Sequence, residues 1–198
     1  HYLHRRQRQM CIRDRVTSGC NQAFCASISS FTSENDEVII PTPWYFNHHM
    51  WLQMAGVKSI PLDTDANMNP IIEKAEALIT DRTRAIVLVS PNNPSGAIYS
   101  NQLLQKFFDL CKSNQIRLII DETYKDFHPN ASQPHTLLEN NNWDQVLTIL
   151  YSFSKTYRMT GHRIGALLTS DKNLLEIEKA LDTFTVCPPQ LGQYAANW

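Results

Sequence analysis

A lysine and an arginine eight residues apart follow an apolar segment of strand length. Lys155 and Arg163 lie in the stretch SFSKTYRMTGHRIG, directly after the run VLTILY. A lysine amine acts as a Schiff-base nucleophile where it can lose its proton and meet a carbonyl group. An arginine suits a phosphate, because its planar fork donates two parallel charge-assisted hydrogen bonds. The pair predicts a site for a cofactor with an aldehyde and a phosphate, whereas Lys155 alone would be read as a solvated surface residue.

Other polar side chains follow predicted strands in the same way. Asn93 comes after the apolar run AIVLV, Asp121 and Tyr124 come after IRLII, and Ser152 precedes Lys155 beyond the run described above. In open α/β sheets, ligands bind beyond the carboxyl ends of the strands. If these strands are neighbours, an amide, a carboxylate, a phenol and an amine meet in one cleft.

The elements that must position these residues are apolar strands separated by amphipathic helices. Strands are predicted at residues 37–40, 57–62, 85–89, 116–120, 146–151 and 164–169, and helices at 23–31, 44–56, 70–80, 101–113, 172–184 and from 190 onward. Apolar runs without alternation are typical of a parallel sheet that is covered on both faces. The pattern predicts an α/β fold, a three-layer α/β/α arrangement with a mainly parallel mixed sheet.

A second possible anion site precedes the first predicted helix. Gly19, Cys20 and Asn21 stand where backbone N–H groups would be free, and the helix dipole favours negative charge there. An ordinary capped helix start has the same pattern, so both interpretations stay open.

Three adjacent aromatic residues, Trp44, Tyr45 and Phe46, open the next helix. They cannot all face one core, so one of them is expected to face elsewhere, for example a flat ligand. Ordinary packing is the alternative.

The composition is that of a globular domain. The 198 residues are 42% hydrophobic and 19% charged, which favours one folded domain and excludes disordered and fibrous classes. No apolar run approaches the ~18 residues of a membrane-spanning helix. We therefore expect no membrane partner.

Residues 1–15 differ from the rest, with five arginines against one aspartate and no helical or strand period. We expect this segment to be non-native or unstructured, and residues 16–198 to form the domain, truncated at both ends. A basic arm that binds nucleic acid is the competing interpretation of residues 1–15. The remainder is mildly acidic, so we expect no nucleic-acid partner.

The cysteines and histidines do not indicate a metal site. Five cysteines are an odd number without a CxxC pair, which is typical of reduced thiols in the cytoplasm. The seven histidines form no HExxH spacing, so no metal is expected.

Five motifs occur in a familiar order: TSGCNQAF, PTPWYF, SPNNPSG, DETYKDF and SFSKTYRMTGHRIG. Over residues 16–198 the chain resembles the class I/II aminotransferases, the aspartate-aminotransferase-like branch of the fold type I pyridoxal-phosphate enzymes. The resemblance implies pyridoxal 5'-phosphate as the cofactor and residues 16–198 as part of its large binding domain.

The resemblance also implies roles for single residues. Lys155 would hold the aldehyde as a Schiff base and later move the substrate proton, with Asp121 and Tyr124 completing the catalytic set. Tyr45 would stack on the pyridine ring, and Asn93 together with Tyr124 would bond the ring hydroxyl. Asp121 would keep the proton on the ring nitrogen.

The phosphate contacts are implied in the same way. Ser152, Arg163 and the backbone N–H groups of Gly19, Cys20 and Asn21 would hold the phosphate. Glu122 is a poorer candidate than Asp121 for the ring nitrogen, because alternate strand residues point to opposite sides. The role of His162, which precedes Arg163, stays open.

The activity implied is amino-group transfer between an amino acid and a 2-oxo acid. Members of the family form homodimers, and they carry an amino-terminal segment and a carboxy-terminal small domain that we expect to lie outside these residues. We therefore expect the chain alone to bind cofactor weakly and to be nearly inactive.

Three alternatives stay open from the sequence. Carbon–sulfur lyases and cyclopropane-forming synthases resemble the same scaffold, and the fold also serves as the effector-sensing domain of some transcription regulators. The third alternative is an α/β domain that binds no cofactor.

Overall fold

The computed structural model describes residues 14–130 and 133–196. The strands are β1 (Asp14–Thr17), β2 (Glu37–Pro41), β3 (Lys58–Leu62), β4 (Thr83–Val89), β5 (Arg117–Asp121), β6 (Leu147–Ser152) and β7 (Gly165–Leu168). The helices are α1 (Cys20–Phe31), α2 (Phe46–Met54), α3 (Ile72–Leu78), α4 (Asn101–Ser113), α5 (Asp171–Phe184) and α6 (Gln190–Ala196).

The strands form one mixed sheet of seven in the order β1-β7-β6-β5-β4-β2-β3. The adjacent strands β6, β5, β4, β2 and β3 pair in parallel. In contrast, β7 runs antiparallel to β6, and β1 runs antiparallel to β7. The predicted mainly parallel mixed sheet is confirmed. The strands that precede the candidate residues, β4, β5 and β6, are neighbours, so their carboxyl ends lie side by side.

Two apolar cores cover the two faces of the sheet. Ile86 and Leu88 of β4 pack with α3 and α4, while Ala85 and Val87 of the same strand pack with α1, α2 and α5. Alternate residues of a strand point to opposite faces, so a continuous apolar run is what a strand buried on both sides requires. The predicted three-layer arrangement is confirmed.

Helix α4 shows why some boundaries could be predicted. The Ser100 hydroxyl accepts a hydrogen bond from the Leu103 amide, which caps the first turn. Leu104, Phe107, Phe108 and Cys111 are buried along one face, at the spacing of an amphipathic helix. Both signals are local, so the predicted range, 101–113, matches the observed one.

The sequence did not predict β1. Asp14 and Arg15, which were assigned to the segment outside the domain, pair with β7, and the Arg15 Nε donates to Glu178 Oε1 of α5 at 2.6 Å. Four residues of which two are charged carry no local strand signal, which is why β1 was not predicted. Residues 1–13 lie outside the described residues, and the division into segment and domain stays a prediction.

Neither a membrane span nor a metal centre is found in the described ranges. None of their helices is both long and apolar enough to cross a bilayer. In the same ranges, no three His, Cys, Asp or Glu side chains are grouped as metal ligands would be.

Candidate active site

A cavity of about 260 Å³ opens at the carboxyl ends of the three central strands. Every candidate residue except Gly19 lines it: Cys20, Asn21, Tyr45, Asn93, Asp121, Tyr124, Ser152, Lys155 and Arg163. The cavity lies where the topology predicts a ligand site, since β4, β5 and β6 all end there. The roles of the individual residues stay predictions.

Asp121, the last residue of β5, is a buried carboxylate with two polar contacts. Its Oδ1 accepts a hydrogen bond from the Thr123 amide at 2.9 Å, and its Oδ2 lies 3.2 Å from the His48 Nε2. Burial by itself would raise the pKa of Asp121, but His48 and Thr123 favour the charged form and bring the pKa below its usual range. Asp121 is therefore an anion that can hold a proton on a ring nitrogen.

His48 was missed by the sequence analysis. Its ring stacks on Phe24 of α1 at 4.0 Å between centroids, and both ring nitrogens are buried. The 3.2 Å approach to Asp121 is an electrostatic contact, and within the described residues neither ring nitrogen of His48 makes a well-formed hydrogen bond. The adjacent His49 instead meets the Ser59 hydroxyl at 2.9 Å. No local signal separates these two histidines, because only the packing of α2 on α1 decides which one faces the carboxylate.

Tyr45 is the aromatic residue that lines the cavity. The Asn47 side chain donates a hydrogen bond to the Tyr45 hydroxyl at 2.8 Å, and the edge of His48 meets its ring at 5.1 Å. Burial raises the pKa of Tyr45, so the phenol stays protonated. Trp44 stacks on a histidine outside the cavity, and Phe46 is 61% exposed. The three aromatics therefore face different ways, and Tyr45 can offer a flat surface to a ligand.

The first turn of α1 lies against the guanidinium of Arg163. Gly19 has φ 85° and ψ 166°, and a Cβ atom there would lie 2.2 Å from the Arg163 Nη2. A Cβ atom at Gly165 would lie 2.6 Å from the Gly19 carbonyl carbon and 2.7 Å from the Cys20 nitrogen. Both glycines thus permit β7 to approach α1, and that approach puts Arg163 beside the helix N-terminus.

Arg163 is held in a fixed position. Its backbone is in the left-handed region, with φ 53° and ψ 58°, which is uncommon for a residue with a side chain. The Nη1 donates to the Thr160 carbonyl oxygen at 2.9 Å and makes a longer contact, 3.4 Å, with the Ser154 hydroxyl. The guanidinium and the free N–H groups of α1 together make a site that can bind an anion such as a phosphate.

Ser152 and Ser154 belong to the same corner of the cavity. Ser152 is buried, and its hydroxyl oxygen accepts a hydrogen bond from the Ser154 amide at 3.2 Å. The proton of that hydroxyl can therefore be donated to an anion. Ser154, Thr123 and Thr160 also line the cavity but were not among the predicted residues. The SFSK motif contains Ser154, so attention to both serines of the motif would have found it.

Lys155 extends into the cavity from the irregular segment after β6. Its Nζ lies 5.9 Å from the centroid of the Tyr124 ring, within the range of a cation–π contact. In the described part of the chain, no carboxylate lies within ion-pairing distance of this amine. The amine is therefore open to a ligand in the cavity.

Glu122 points to the other side of β5 from Asp121. Its Oε1 lies 2.6 Å from the Nε2 of His135, and both side chains are buried. The alternation of strand side chains predicted this difference between the two neighbouring acids. Glu122 is therefore outside the cavity.

The α/β sheet and the side chains at its carboxyl edge define the class: the fold is that of the pyridoxal-phosphate-dependent transferases. A family model, Aminotransferase class I and II, matches residues 5–198. The chain belongs to this family.

Curated relatives and solved structures agree with this membership. The chain is 32% identical over 198 residues to a probable aspartate aminotransferase of Methanocaldococcus jannaschii, covering 91% of this chain and 49% of that protein. It is 30% identical over 183 residues to the aspartate aminotransferase of Thermotoga maritima, covering 91% and 48%. An aromatic aminotransferase structure from Pyrococcus horikoshii superposes with a TM-score of 0.86 at 28% identity, covering 93% of this chain and 50% of that one. The chain therefore spans about half the length of the relatives it matches.

Proposed function

We propose that the protein containing this chain is a pyridoxal-phosphate-dependent aminotransferase. The observation that carries the proposal is the convergence of Lys155, Asp121 and Arg163 on one cavity of about 260 Å³. Their chemistry matches three different parts of the cofactor: its aldehyde, its ring nitrogen and its phosphate.

The residues present fit this cofactor. Arg163, the Ser152 hydroxyl and the N-terminus of α1 would hold the phosphate, and the Tyr45 ring would cover one face of the pyridine. Asn93 and Tyr124 would contact the ring hydroxyl. When bound, pyridoxal phosphate supplies an electron sink for the electrons of a bond broken at the α-carbon of an amino acid.

Asp121 makes this sink effective by staying ionised. Its lowered pKa keeps it a carboxylate at neutral pH, and burial makes its charge strong because little water screens it. A buried anion at this position would hold a proton on the ring nitrogen of the bound cofactor by a charge-assisted hydrogen bond. His48 and Thr123 serve by orienting the carboxylate.

Lys155 has two successive tasks. Its amine would hold the cofactor at the aldehyde, and the free amine would take a proton from the α-carbon of a substrate and deliver it to another carbon. Tyr124, whose ring is 5.9 Å from the Lys155 amine, limits where that amine can go.

We extend the proposal to the partners. The substrates are an amino acid and a 2-oxo acid, and the protein is a cytoplasmic homodimer. The four cysteines within the described residues are free thiols, which agrees with a reducing compartment. The relatives include enzymes named for aspartate and for aromatic amino acids, so their names do not narrow the amino donor.

The test uses the protein expressed from its full coding sequence. With pyridoxal phosphate bound, borohydride reduction and peptide mass mapping should place the cofactor on Lys155. Lys155→Ala should remove the long-wavelength absorption band and the transfer of the amino group to a 2-oxo acid. Lys179→Ala is the matched control, because the Lys179 amine is exposed, pairs with Glu176 on α5 and is outside the cavity lining.

Two results would contradict the proposal. An unchanged absorption spectrum in Lys155→Ala would reject the site. Release of ammonia or an oxo acid without any amino acceptor would identify a lyase instead of an aminotransferase.

A further inference from the structure

Asp126 links the loop after β5, which carries Tyr124, to the segment after β6, which carries Lys155. It lies in a short 3-10 turn, Lys125–Phe127, which begins directly after Tyr124. Its Oδ2 accepts a hydrogen bond from the Thr156 hydroxyl at 3.0 Å and another from the Tyr151 hydroxyl. Asp126, Tyr151 and Thr156 are partly buried, and none of them is part of the cavity lining described above.

The two donors bracket the lysine segment. Tyr151 immediately precedes Ser152, and Thr156 immediately follows Lys155. The carboxylate therefore holds both ends of residues 152–155 from the neighbouring loop. Since Asp126 is itself two residues from Tyr124, the same contacts set the lysine segment against the tyrosine.

The sheet alone does not position Lys155. The parallel pairing of β5 with β6 ends with the hydrogen bond from the Glu122 amide to the Leu150 carbonyl oxygen, 2.8 Å. On the β7 side the last bond runs from the Phe153 amide to the Ile164 carbonyl oxygen, 3.1 Å, and Lys155 lies in a turn beyond both. The lysine side chain is long and flexible, so the position of its amine depends on where the backbone of that turn is held. The contact of Asp126 with Thr156 holds this turn beyond the last of these hydrogen bonds, while its contact with Tyr151 ties the same carboxylate to β6.

The charge of the aspartate suits this task. Burial raises the pKa of Tyr151, and the hydrogen bond to Asp126 and the negative charge of Asp126 raise it further. The phenol therefore keeps its proton, and can donate it, throughout the physiological pH range. A threonine hydroxyl can also donate, and an ionised carboxylate accepts both bonds at once. Lys125 adds positive charge nearby, with its amine 5.1 Å from the Tyr151 ring centroid.

We propose that Asp126 is a positioning residue, which acts through Thr156 and Tyr151 to keep the Lys155 amine where it can reach the cofactor aldehyde. This inference rests on the proposed function, since it assigns Asp126 a part in the same site. Attachment joins the Lys155 nitrogen to the aldehyde carbon by a C=N bond and releases one water. Asp126 contributes to the placement of the amine, whereas the proposed phosphate contacts are Arg163, α1 and Ser152, and Ser152 is held by its pairing with Gly165 of β7.

The experiment compares two ligands that share the ring and phosphate. Pyridoxal phosphate requires the lysine for its attachment, whereas pyridoxamine phosphate carries an amine in place of the aldehyde and cannot attach to a lysine. Their equilibrium affinities are measured on the cofactor-free protein from the full coding sequence. Asp126→Ala and Thr156→Val should weaken pyridoxal phosphate about tenfold or more, the effect of losing a hydrogen bond to a charged group. Pyridoxamine phosphate affinity should stay unchanged.

Conservative variants separate positioning from simple support of the fold. Thr156→Ser keeps the hydroxyl and should restore wild-type affinity for pyridoxal phosphate, and Asp126→Asn, which keeps an acceptor oxygen, should lose less than Asp126→Ala. Thr183→Val is the matched control, because that hydroxyl donates within α5 to the Lys179 carbonyl oxygen at 2.8 Å. If Asp126→Ala does not fold, the Thr156→Val and Thr156→Ser pair gives the same comparison.

The possible outcomes are distinct. Equal weakening of both ligands by Thr156→Val, or weakening of neither, overturns the positioning role while the aminotransferase proposal stands. Failure of the wild-type protein to attach pyridoxal phosphate through Lys155 overturns both. Selective loss of pyridoxal phosphate affinity, restored by Thr156→Ser, supports the inference.

Discussion

The phosphate site can be tested by adding a single methyl group at Gly19. This residue has φ 85° and ψ 166°, a region of backbone space that is essentially restricted to glycine. Gly19→Ala should therefore lower the free energy of unfolding by about 1–3 kcal/mol through backbone strain. The new Cβ would also lie 2.2 Å from the Arg163 Nη2 and 3.0 Å from its Cζ, so the guanidinium has to move away from the N-terminus of α1.

The displacement of Arg163 has a measurable size. A hydrogen bond to a charged group contributes about 1.5–3 kcal/mol, so the affinity for a phosphate should fall between about tenfold and a hundredfold. The assay measures the affinity for pyridoxal phosphate and for pyridoxal, which lacks the phosphate. Gly19→Ala should reduce the preference for the phosphorylated form and leave the affinity for pyridoxal unchanged.

Two other glycines provide the controls. Gly96 also has a positive φ, 75°, but a Cβ atom there meets nothing within 4 Å, so Gly96→Ala introduces strain without steric contact. Gly161 has neither feature. Gly96→Ala should lower stability but keep the preference for the phosphorylated ligand, and Gly161→Ala should change neither. If Gly19→Ala retains the wild-type preference for pyridoxal phosphate, the assignment of the phosphate to Arg163 and α1 is wrong.

Three further variants test the buried carboxylate, a helix cap and the core. Because the pKa of Asp121 is lowered in the folded state, its contribution to stability is present above about pH 3.9 and is lost as the pH falls through the folded pKa. The free energy of unfolding in urea should therefore fall more steeply with acidification in the wild type than in Asp121→Asn. The same pH dependence in both proteins would contradict this. Ser100→Ala removes the cap of α4 and should lower the free energy of unfolding by about 1 kcal/mol in the same assay. An unchanged free energy of unfolding would show that the cap does not stabilise the protein. Phe107→Ala, at a fully buried position, should cost about 3–5 kcal/mol, while Phe127→Ala, at a position 62% exposed, should have little effect on the unfolding free energy; similar losses in both would refute the burial argument.

Asp121 and Lys155 show how much of the site could be predicted. Asp121 ends one strongly apolar strand and Lys155 closely follows another. The rule that parallel strands end at one edge brings such residues together without knowledge of the coordinates. The argument required β4, β5 and β6 to be neighbours, and the sheet order has them side by side. The identity of the amino donor was not predicted, because nothing in these motifs describes a side-chain pocket.

His48 and Asp126 show why the rest could not be predicted. His48 meets Asp121 across 73 positions of the chain because α2 packs on α1, and the adjacent His49 has the same local sequence context. Asp126 reaches Thr156 across 30 positions. Contacts of this kind depend on the packing of whole elements, and a local pattern holds no information about it.

The sequence by itself determined the alternation of apolar strands and amphipathic helices, the bounds of α4 and the order of the chemical groups along the chain. These follow from burial periodicity, capping and strand ends, which act over a few residues. The tertiary structure decided that β1 completes the sheet, because Asp14–Thr17 gains its pairing from β7, far along the chain. It also decided that the guanidinium of Arg163 lies against Gly19, since that contact requires α1 and β7 to approach each other more closely than any side chain at Gly19 would allow.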